Sequence, residues 1–373
     1  MEESQIGLRR PVNRRSLLKG GLLASGAATL GAGMLGKGAM ALAQSGGTSL
    51  NKGDVAILRF LAAAELIESD LWLQYAELGG IGTNLPIEVA PTQTLNPYQA
   101  ALSNLDSDGP QYISSNTLDE MSHAEFLNAY LESKGADPVD LQEFSILPGS
   151  SATGSSGNSR LTNLNQLNVD TSWYVRYRSK TNPDFGATFP QAIKLDNVPA
   201  IPLNDSELFG DPNHIQAIAN IAAFHFGQIE QGGSSLYAAM SQKVSSVEVL
   251  QITLGIGGDE IAHFLEWVDF AGNGVQPSVA PFTDPVLKLT FPNFFSPLNP
   301  SIQPSLIFPV PAEFISADLP RCSTIRPITD KFAGAQAAVK GLTASGLFIG
   351  QSKKFLDTLQ TLAAAADNAV RMV

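Results

Sequence analysis

The chain has 373 residues, of which 44% are hydrophobic and 8% aromatic, so it is long enough to bury a sizeable core. Its formal net charge of −12 argues against nucleic acid and anionic lipid as partners. Cys322 is the only cysteine, which excludes an internal disulfide and an all-thiolate metal site, so any bound metal must use carboxylates and imidazoles.

Residues 1–43 have the pattern of an export signal. Arg14 and Arg15 precede a segment rich in Gly, Ala and Leu, and Ala41 and Ala43 suit a cleavage site. The arginine pair is typical of the twin-arginine type, which predicts a periplasmic or extracellular protein. An uncleaved membrane anchor is the alternative, and the weak hydropathy of the segment disfavours it. Cleavage would remove six Lys/Arg and two Glu, changing the formal net charge from −12 to −16 and leaving no stable membrane insertion.

The first predicted helix runs from Asp54 to a stop at Gly79-Gly80, because apolar residues recur at helical spacing. Asp54 is its predicted N-cap. The apolar face of this helix contains Glu65, and burying an unpaired carboxylate costs several kcal/mol, so Glu65 needs a partner. Glu68, one turn later, lies on the flank of the same face. Glu65 is the favoured site residue of the two because it is central to the face.

A connection and a second helix follow. Residues 81–112 contain four prolines and are predicted to form a long connection. The second helix is predicted from about Ser115 or Thr117 to Gly135, and it includes the sequence LDEMSHAEF at 118–126.

Residues 136–212 differ in character from the helices and are predicted to be an insertion. They contain a Gly/Ser-rich linker, several Pro-containing turns and an aromatic run with Trp173, Tyr174 and Tyr177 next to arginines. A stacking surface is one interpretation of this run. A short strand packed on the helices is the favoured one.

Helical periodicity returns at 213–242 and at 246–272, the third and fourth predicted helices. The third helix places Glu230 on an otherwise apolar face, as the first does with Glu65. The fourth contains GDEIAHFLEW at 258–267, which repeats the Asp-Glu-x-x-His pattern of the second helix.

The C-terminal region, residues 274–373, begins with a Pro-rich segment. Residues 274–328 hold eleven of the 23 prolines, which excludes helix and central strand there. Their apolar content predicts an extended cover over the helices. The last stretch, 353–373, is predicted to be a closing helix.

The repeated pattern predicts a metal site, because residues three apart on a helix point the same way. Glu120 with His123 and Glu260 with His263 each bring a carboxylate and an imidazole to one point, although a single such pair is more often a surface neighbour. Glu230 lies 30 residues before Glu260, which suits two antiparallel helices whose acids are about 20 Å from the turn. All the candidate ligands can therefore meet at one level: Glu65, Glu120, His123, Glu230, Glu260 and His263.

Further residues are expected around this site. Asp119 and Asp259 precede the two histidines by four residues and can accept the second imidazole proton, on their own helix or across to the other. Aromatic residues follow seven positions after a glutamate or histidine, and core packing is the favoured interpretation over redox tuning: Trp72, Tyr130, Tyr237, Trp267 and Phe270. The remaining histidines, His214 and His225, have no partner motif and are each predicted to be packed or at the surface.

One Glu from each of two helices plus Glu-x-x-His from each of two others resembles the di-iron or di-manganese site of ferritin-like carboxylate proteins. The stretches AELIESDLW (64–72), IEQGGSSLY (229–237) and DEIAHFLEW (259–267) look most like the exported branch that includes desiccation-related proteins. The resemblance covers roughly 54–135 and 213–272.

This resemblance implies an all-α, ferritin-like four-helix bundle over residues 50–273, with 136–212 as a crossover insertion. It also implies that the six residues bind two iron or two manganese ions, with Glu120 and Glu260 as bridging candidates. Ligands rich in oxygen and nitrogen suit these metals.

The leading functional hypothesis is an exported stress protein that oxidises iron or removes peroxide. Its expected partners are metal ions with oxygen or peroxide, and a homo-oligomer is compatible with the sequence. A structural or stress-protective desiccation-related bundle without turnover is one alternative. An oxygen-dependent oxidase of an organic substrate is the other.

Overall fold

The computed structural model describes most of the chain after the predicted export signal, which itself lies outside the described residues. The described ranges are 50–81, 94–176, 189–274, 281–294, 309, 311, 315–323 and 334–372. Within them the chain is mostly helical, and strands form only three two-stranded antiparallel sheets. None of the described helices combines the length and hydropathy that a membrane span needs.

The helices are, in chain order, α1 (Lys52–Gly79), α2 (Pro97–Leu105), α3 (Gly109–Ser133), α4 (Trp173–Arg176), α5 (Asp205–Leu208), α6 (Pro212–Ser241), α7 (Val247–Gly274), α8 (Ala335–Ala344) and α9 (Lys353–Asp367). The paired strands are β1 (Leu147–Pro148) with β2 (Ser159–Arg160), β3 (Leu167–Val169) with β4 (Leu195–Val198), and β5 (Phe282–Thr283) with β6 (Thr290–Phe291). Four long helices, α1, α3, α6 and α7, therefore match the four that periodicity predicts. The closing helix α9 is confirmed, although it ends at Asp367.

The start of α1 differs from the prediction. Asn51, and not Asp54, is the N-cap, since its side chain accepts a hydrogen bond from the Asp54 N–H at 2.9 Å. The Asp54 carboxylate is buried and accepts hydrogen bonds from the N–H groups of Ser245 and Ser246 instead. It therefore ties the beginning of α1 to the connection between α6 and α7. The predicted stop at Gly79 is confirmed.

The described part of the predicted connection 81–112 contains helix, so that prediction is wrong in part. Asn96 and Gln99 form a capping box at the start of α2, with Pro97 in the first turn. Pro110 likewise lies in the first turn of α3, which begins well before the predicted start. Proline is tolerated there because the first N–H groups of a helix have no intrahelical partner.

The insertion at 136–212 packs on α6 through its aromatic run. The predicted strand is wrong, because Trp173 lies in the short helix α4. The packing expected of it is present: Trp173 is buried, and its Nε1 donates to the Phe224 carbonyl at 3.0 Å. Gly227 makes room for the indole, since a Cβ there would clash with the ring. Tyr177 lies outside the described residues.

Residues 281–294, in the Pro-rich region, contact the first half of α6. The buried Asp284 carboxylate lies 3.1 Å from His214 Nδ1 and accepts hydrogen bonds from its own loop. The Phe294 ring lies 5.3 Å from the Phe224 ring. The segment is therefore attached to α6 by one polar contact and one apolar contact.

Two helix pairs form the centre of the fold. Helices α6 and α7 pack along their length, and so do α1 and α3, while α9 covers α1 and α2 covers α6. Leu61, Leu71, Phe226 and Phe264 are among the fully buried core side chains. Charged side chains from all four long helices lie within this apolar core.

Candidate metal centre

The six residues that the sequence singled out are all buried and lie together. Helix α1 contributes Glu65, α6 contributes Glu230, and α3 and α7 each contribute a Glu and a His three residues apart. The four glutamates are at most 1% exposed, and the two histidines 8% and 3%. The structure thus brings into one interior position Glu65, Glu120, His123, Glu230, Glu260 and His263.

These residues form two overlapping groups of potential ligands, each with three carboxylates and one imidazole. In each group the nearest ligand atoms lie within 4.8 Å of one another. Glu65 and His123 occur in one group only, Glu230 and His263 in the other only, and Glu120 and Glu260 in both. The shared pair is the one predicted to bridge two ions.

The Nδ1 atoms of both histidines face the glutamates. His123 Nδ1 lies 3.2 Å from Glu120 Oε2 and 3.4 Å from Glu65 Oε2. His263 Nδ1 lies 3.1 Å from Glu120 Oε1 and 3.2 Å from Glu230 Oε2. Each imidazole therefore points the same ring nitrogen at the carboxylates of its group.

The Nε2 atoms point outward to Asp119 and Asp259, and the closest pairings cross between helices. His123 Nε2 lies 3.2 Å from Asp259 Oδ2, and His263 Nε2 lies 3.3 Å from Asp119 Oδ2. The same-helix distance from His263 to Asp259 is longer, at 3.7 Å. An aspartate that accepts the Nε2 proton fixes the imidazole tautomer and leaves Nδ1 free for a metal.

Two aromatic side chains donate hydrogen bonds to the outer glutamates, Glu65 and Glu230, which each belong to one ligand group only. Trp72 on α1 donates from Nε1 to Glu230 Oε1 at 3.0 Å, and Tyr237 on α6 donates its hydroxyl proton to Glu65 Oε1. The seven-residue spacing in the sequence predicts that both rings lie near the site. It does not predict these hydrogen bonds, because each bond joins a ring on one helix to a glutamate on another. Trp72 and Tyr237 are therefore more than core packing, whereas Trp267 stacks on Trp72 with ring centroids 5.5 Å apart.

Glu65 rather than Glu68 belongs to a ligand group, in line with the sequence preference. Glu68 is partly buried beside the cluster. Burial, followed by the negative charges of Glu120, Glu65 and Glu230, raises its pKa well above the ordinary value. The interior therefore holds a further acid next to the six.

In the metal-free chain, protons supply the positive charge that this cluster needs. Burial raises the pKa of Glu120 to about 8, although hydrogen bonds from His123 and His263 oppose the rise. Burial also raises the pKa of Glu260 far above its usual range, as do neighbouring glutamates. Burial lowers the pKa of His123, but hydrogen bonds to Asp259, Glu120 and Glu65 outweigh it and raise the value to about 12. A cation in the cluster would replace these protons.

The donor set fits a metal pair in two respects. Among the described residues, both buried carboxylate oxygens of Glu260 have no hydrogen-bond donor. Such oxygens are costly in a protein interior unless a cation or proton satisfies them. Gly233 on α6 leaves space for one of them, because a Cβ at this position would lie 2.9 Å from Glu260 Cδ and closer still to Oε2.

Gly233→Ala is expected to displace the Glu260 carboxylate, to lower metal affinity about tenfold or more, and to destabilise the fold by about 1–3 kcal/mol through overpacking. Gly232→Ala is the matched control, because a Cβ there has open space. The control should keep full affinity and gain up to about 1 kcal/mol of helix stability. Metal titration and thermal unfolding measure both effects, and equal affinities for the two variants would refute the role of Gly233.

The other two histidines are packed and each has a partner far along the chain. His214 pairs with Asp284, and His225 Nδ1 lies 2.6 Å from the Tyr75 hydroxyl. The partners are 70 and 150 residues away, so no local motif could reveal them.

His225 predicts a pH effect, because burial lowers its pKa to about 3. The unfolded chain takes up the proton near pH 6.5, before the folded chain does, so stability is lost as the pH falls from about 6.5 to about 3. This loss approaches about 1.4 kcal/mol per pH unit. Relative to wild type, His225→Gln should gain stability in denaturant unfolding as the pH falls across this window, and Tyr75→Phe should keep the wild-type slope. Identical slopes for His225→Gln and wild type would contradict the assignment.

No protein-family model matches the chain, and no curated protein or solved structure matches it either. The resemblance to ferritin-like proteins therefore rests on the residue pattern of the sequence alone. Chemically, the arrangement offers two adjacent cation positions that share two carboxylates.

Proposed function

We propose that α1, α3, α6 and α7 form a ferritin-like four-helix bundle that binds two iron or two manganese ions, and that the protein oxidises iron or removes peroxide. The observation that carries the proposal is the sharing of Glu120 and Glu260 by both four-residue groups. A single-ion site does not need two such groups.

The charges of the ligand set support a pair of divalent ions. Four carboxylates carry four negative charges, which two divalent cations balance when both imidazoles are neutral. Glu65 and His123 would hold one ion, Glu230 and His263 the other, and Glu120 and Glu260 would lie between them. This distribution gives each ion three carboxylates and one imidazole.

The protein residues around the ligands keep them in position. Asp119 and Asp259 orient the imidazoles, and Trp72 and Tyr237 each hold one oxygen of an outer glutamate. The buried rings of Trp72, Phe226 and Trp267 pack beneath the cluster and exclude bulk water. A pair of iron or manganese ions would supply electron exchange with oxygen or peroxide.

The proposal is tested by loading the full chain with iron or manganese under anaerobic conditions and adding oxygen or peroxide. We expect optical changes from iron oxidation, oxygen release from peroxide, or both, in wild type and in Glu125→Ala, whose residue is exposed on α3. Glu260→Ala should lose either activity by about a hundredfold or more. Full metal loading with neither activity would favour the structural alternative, a bundle without turnover.

A further inference from the structure

A second buried pair of titratable groups lies one aromatic ring away from the candidate metal centre. Tyr75 on α1 and His225 on α6 are both fully buried, and the Tyr75 hydroxyl lies 2.6 Å from His225 Nδ1. His225 is the only hydrogen-bond partner of this hydroxyl among the described residues, so the hydroxyl donates and the imidazole proton is on Nε2. Neither residue belongs to the ligand groups.

Trp72 connects this pair to the cluster. Its Nε1 donates to Glu230 Oε1 at 3.0 Å, and its ring meets the Tyr75 ring edge-on with centroids 5.7 Å apart. The path from Glu230 through Trp72 and Tyr75 to His225 is thus continuous, with one hydrogen bond at each end and a ring contact in the middle. Trp72 and Tyr75 are one helical turn apart on α1.

We propose that Tyr75 and His225 form a proton-coupled redox pair that gives one electron to the metal centre through Trp72. When an oxidant has removed an electron from Trp72, an electron from Tyr75 refills the indole. The phenolic proton moves in the same step to His225 Nδ1. The products are neutral Trp72, a neutral Tyr75 radical and a His225 imidazolium, so electrons and protons balance.

In the peroxide reaction of the proposed function, on which this role rests, the oxidant is hydrogen peroxide. It takes two electrons and two protons to become two molecules of water. The pair supplies one of these electrons when no external reductant is bound, a bound iron or manganese ion would supply the other, and the two protons come from the solvent. An oxidising equivalent would then be held on a fully buried ring and kept away from the surface of the protein.

The resting pair is arranged so that the proton stays on the phenol. Burial raises the pKa of Tyr75 well above its ordinary value and lowers that of His225 to about 3. Loss of an electron makes a phenol strongly acidic, so only then does the proton move to the imidazole. On re-reduction the phenolate recovers this proton.

Tyr98 provides an internal comparison. It is as fully buried as Tyr75, but its hydroxyl donates to the Ala200 carbonyl at 2.8 Å, and a carbonyl cannot take up the proton. The two tyrosines therefore differ in the proton acceptor and not in burial. Of these two, only Tyr75 should form a long-lived neutral radical.

The test uses the metal-free full chain, so that it does not depend on metal binding. Laser photoionisation of the tryptophans, with a scavenger for the ejected electron, is followed by transient absorption and electron paramagnetic resonance. In wild type the tryptophan radical should decay as a tyrosyl radical appears. Tyr75→Phe should remove the tyrosyl signal that replaces the Trp72 radical, and Tyr98→Phe should leave it unchanged.

His225→Gln tests the proton acceptor, because glutamine can accept the hydrogen bond but not the proton. It should slow tyrosyl formation by about a hundredfold. A tyrosyl signal of wild-type size and rate in Tyr75→Phe, or its loss in Tyr98→Phe, would overturn the proposal. Circular dichroism checks that each variant folds. If His225→Gln does not fold, the result for Tyr75→Phe decides the test.

The second arm of the test uses the metal-loaded protein. Hydrogen peroxide should produce the same Tyr75 radical in the loaded chain, and Tyr75→Phe should lose it at unchanged metal content. If the chain binds no metal but photoionisation still oxidises Tyr75, the proposed function fails and the redox pair stands. If metal binds and Tyr75 is not oxidised in either arm, the pair fails and the metal centre stands.

Discussion

Glu260→Ala is expected to remove both metal ions, whereas Glu65→Ala should weaken one position and leave the other. Glu260 belongs to both ligand groups and Glu65 to one. Loss of a residue that only orients a metal ligand costs about 10–100-fold in affinity, so loss of a shared ligand should cost more than about a hundredfold at both positions. Anaerobic calorimetric titration and elemental analysis measure the affinity and the number of ions bound.

Glu230→Ala provides the mirror-image comparison, because Glu230 occurs only in the group that lacks Glu65. Glu230→Ala should leave unchanged the affinity for the ion that Glu65→Ala weakens, and it should weaken the other ion. Glu125→Ala, exposed on α3, controls for the loss of a carboxylate elsewhere. The shared-ligand arrangement is wrong if Glu260→Ala and Glu65→Ala retain the same number of ions.

Glu260→Met is expected to make the metal-free chain more stable than wild type by about 1–4 kcal/mol, because an apolar side chain of similar volume removes a buried, uncompensated carboxyl group. It should also remove the stabilisation by metal. In wild type that stabilisation is about 4 kcal/mol when free metal is 1,000 times its dissociation constant. Thermal and denaturant unfolding with metal and with chelator measure both effects.

The pH dependence of metal-free wild type follows from the same carboxyl groups. A carboxyl whose pKa is raised on folding stabilises the chain fully below its unfolded pKa of about 4.3, and the stabilisation is lost as the pH rises through the folded pKa. For Glu120 the folded value is about 8, and that of Glu260 is also raised. These carboxyl groups should therefore lower the stability of metal-free wild type between about pH 4.3 and about pH 8, and Glu260→Met should lose less. His225 acts in the opposite direction below about pH 6.5, so the decisive window is from about pH 6.5 to about pH 8. Stability that rises with pH in that window would contradict the buried cluster.

The residues of the candidate centre could be predicted because their signals are local. Glu-x-x-His sets a carboxylate and an imidazole on one side of a helix, and an acid such as Glu65 or Glu230 stands out on an apolar face. Four long helices then need only suitable spacing to bring these groups to one level. The four long helices therefore follow from periodicity, and the convergence follows from the repeated motif, the acids on apolar faces and their spacing.

Other features depend on contacts between distant segments and could not be predicted. The bond from Trp72 to Glu230 and that from Tyr75 to His225 each join α1 to α6. Pro97 favours a loop in the sequence, but it occupies a first-turn position of helix α2, where proline is tolerated. The aromatic neighbours of Trp173 favour a strand, but packing against α6 decides its conformation.

The most direct test of the metal centre is the metal content of the full chain purified without added metal, beside the double variant Glu120→Ala/His263→Ala. Elemental analysis should find two iron or two manganese ions per wild-type chain and none in the variant, and a chelator should lower the melting temperature of wild type only. Substoichiometric iron and manganese in wild type, with a melting temperature that the chelator does not change, would contradict a di-metal centre.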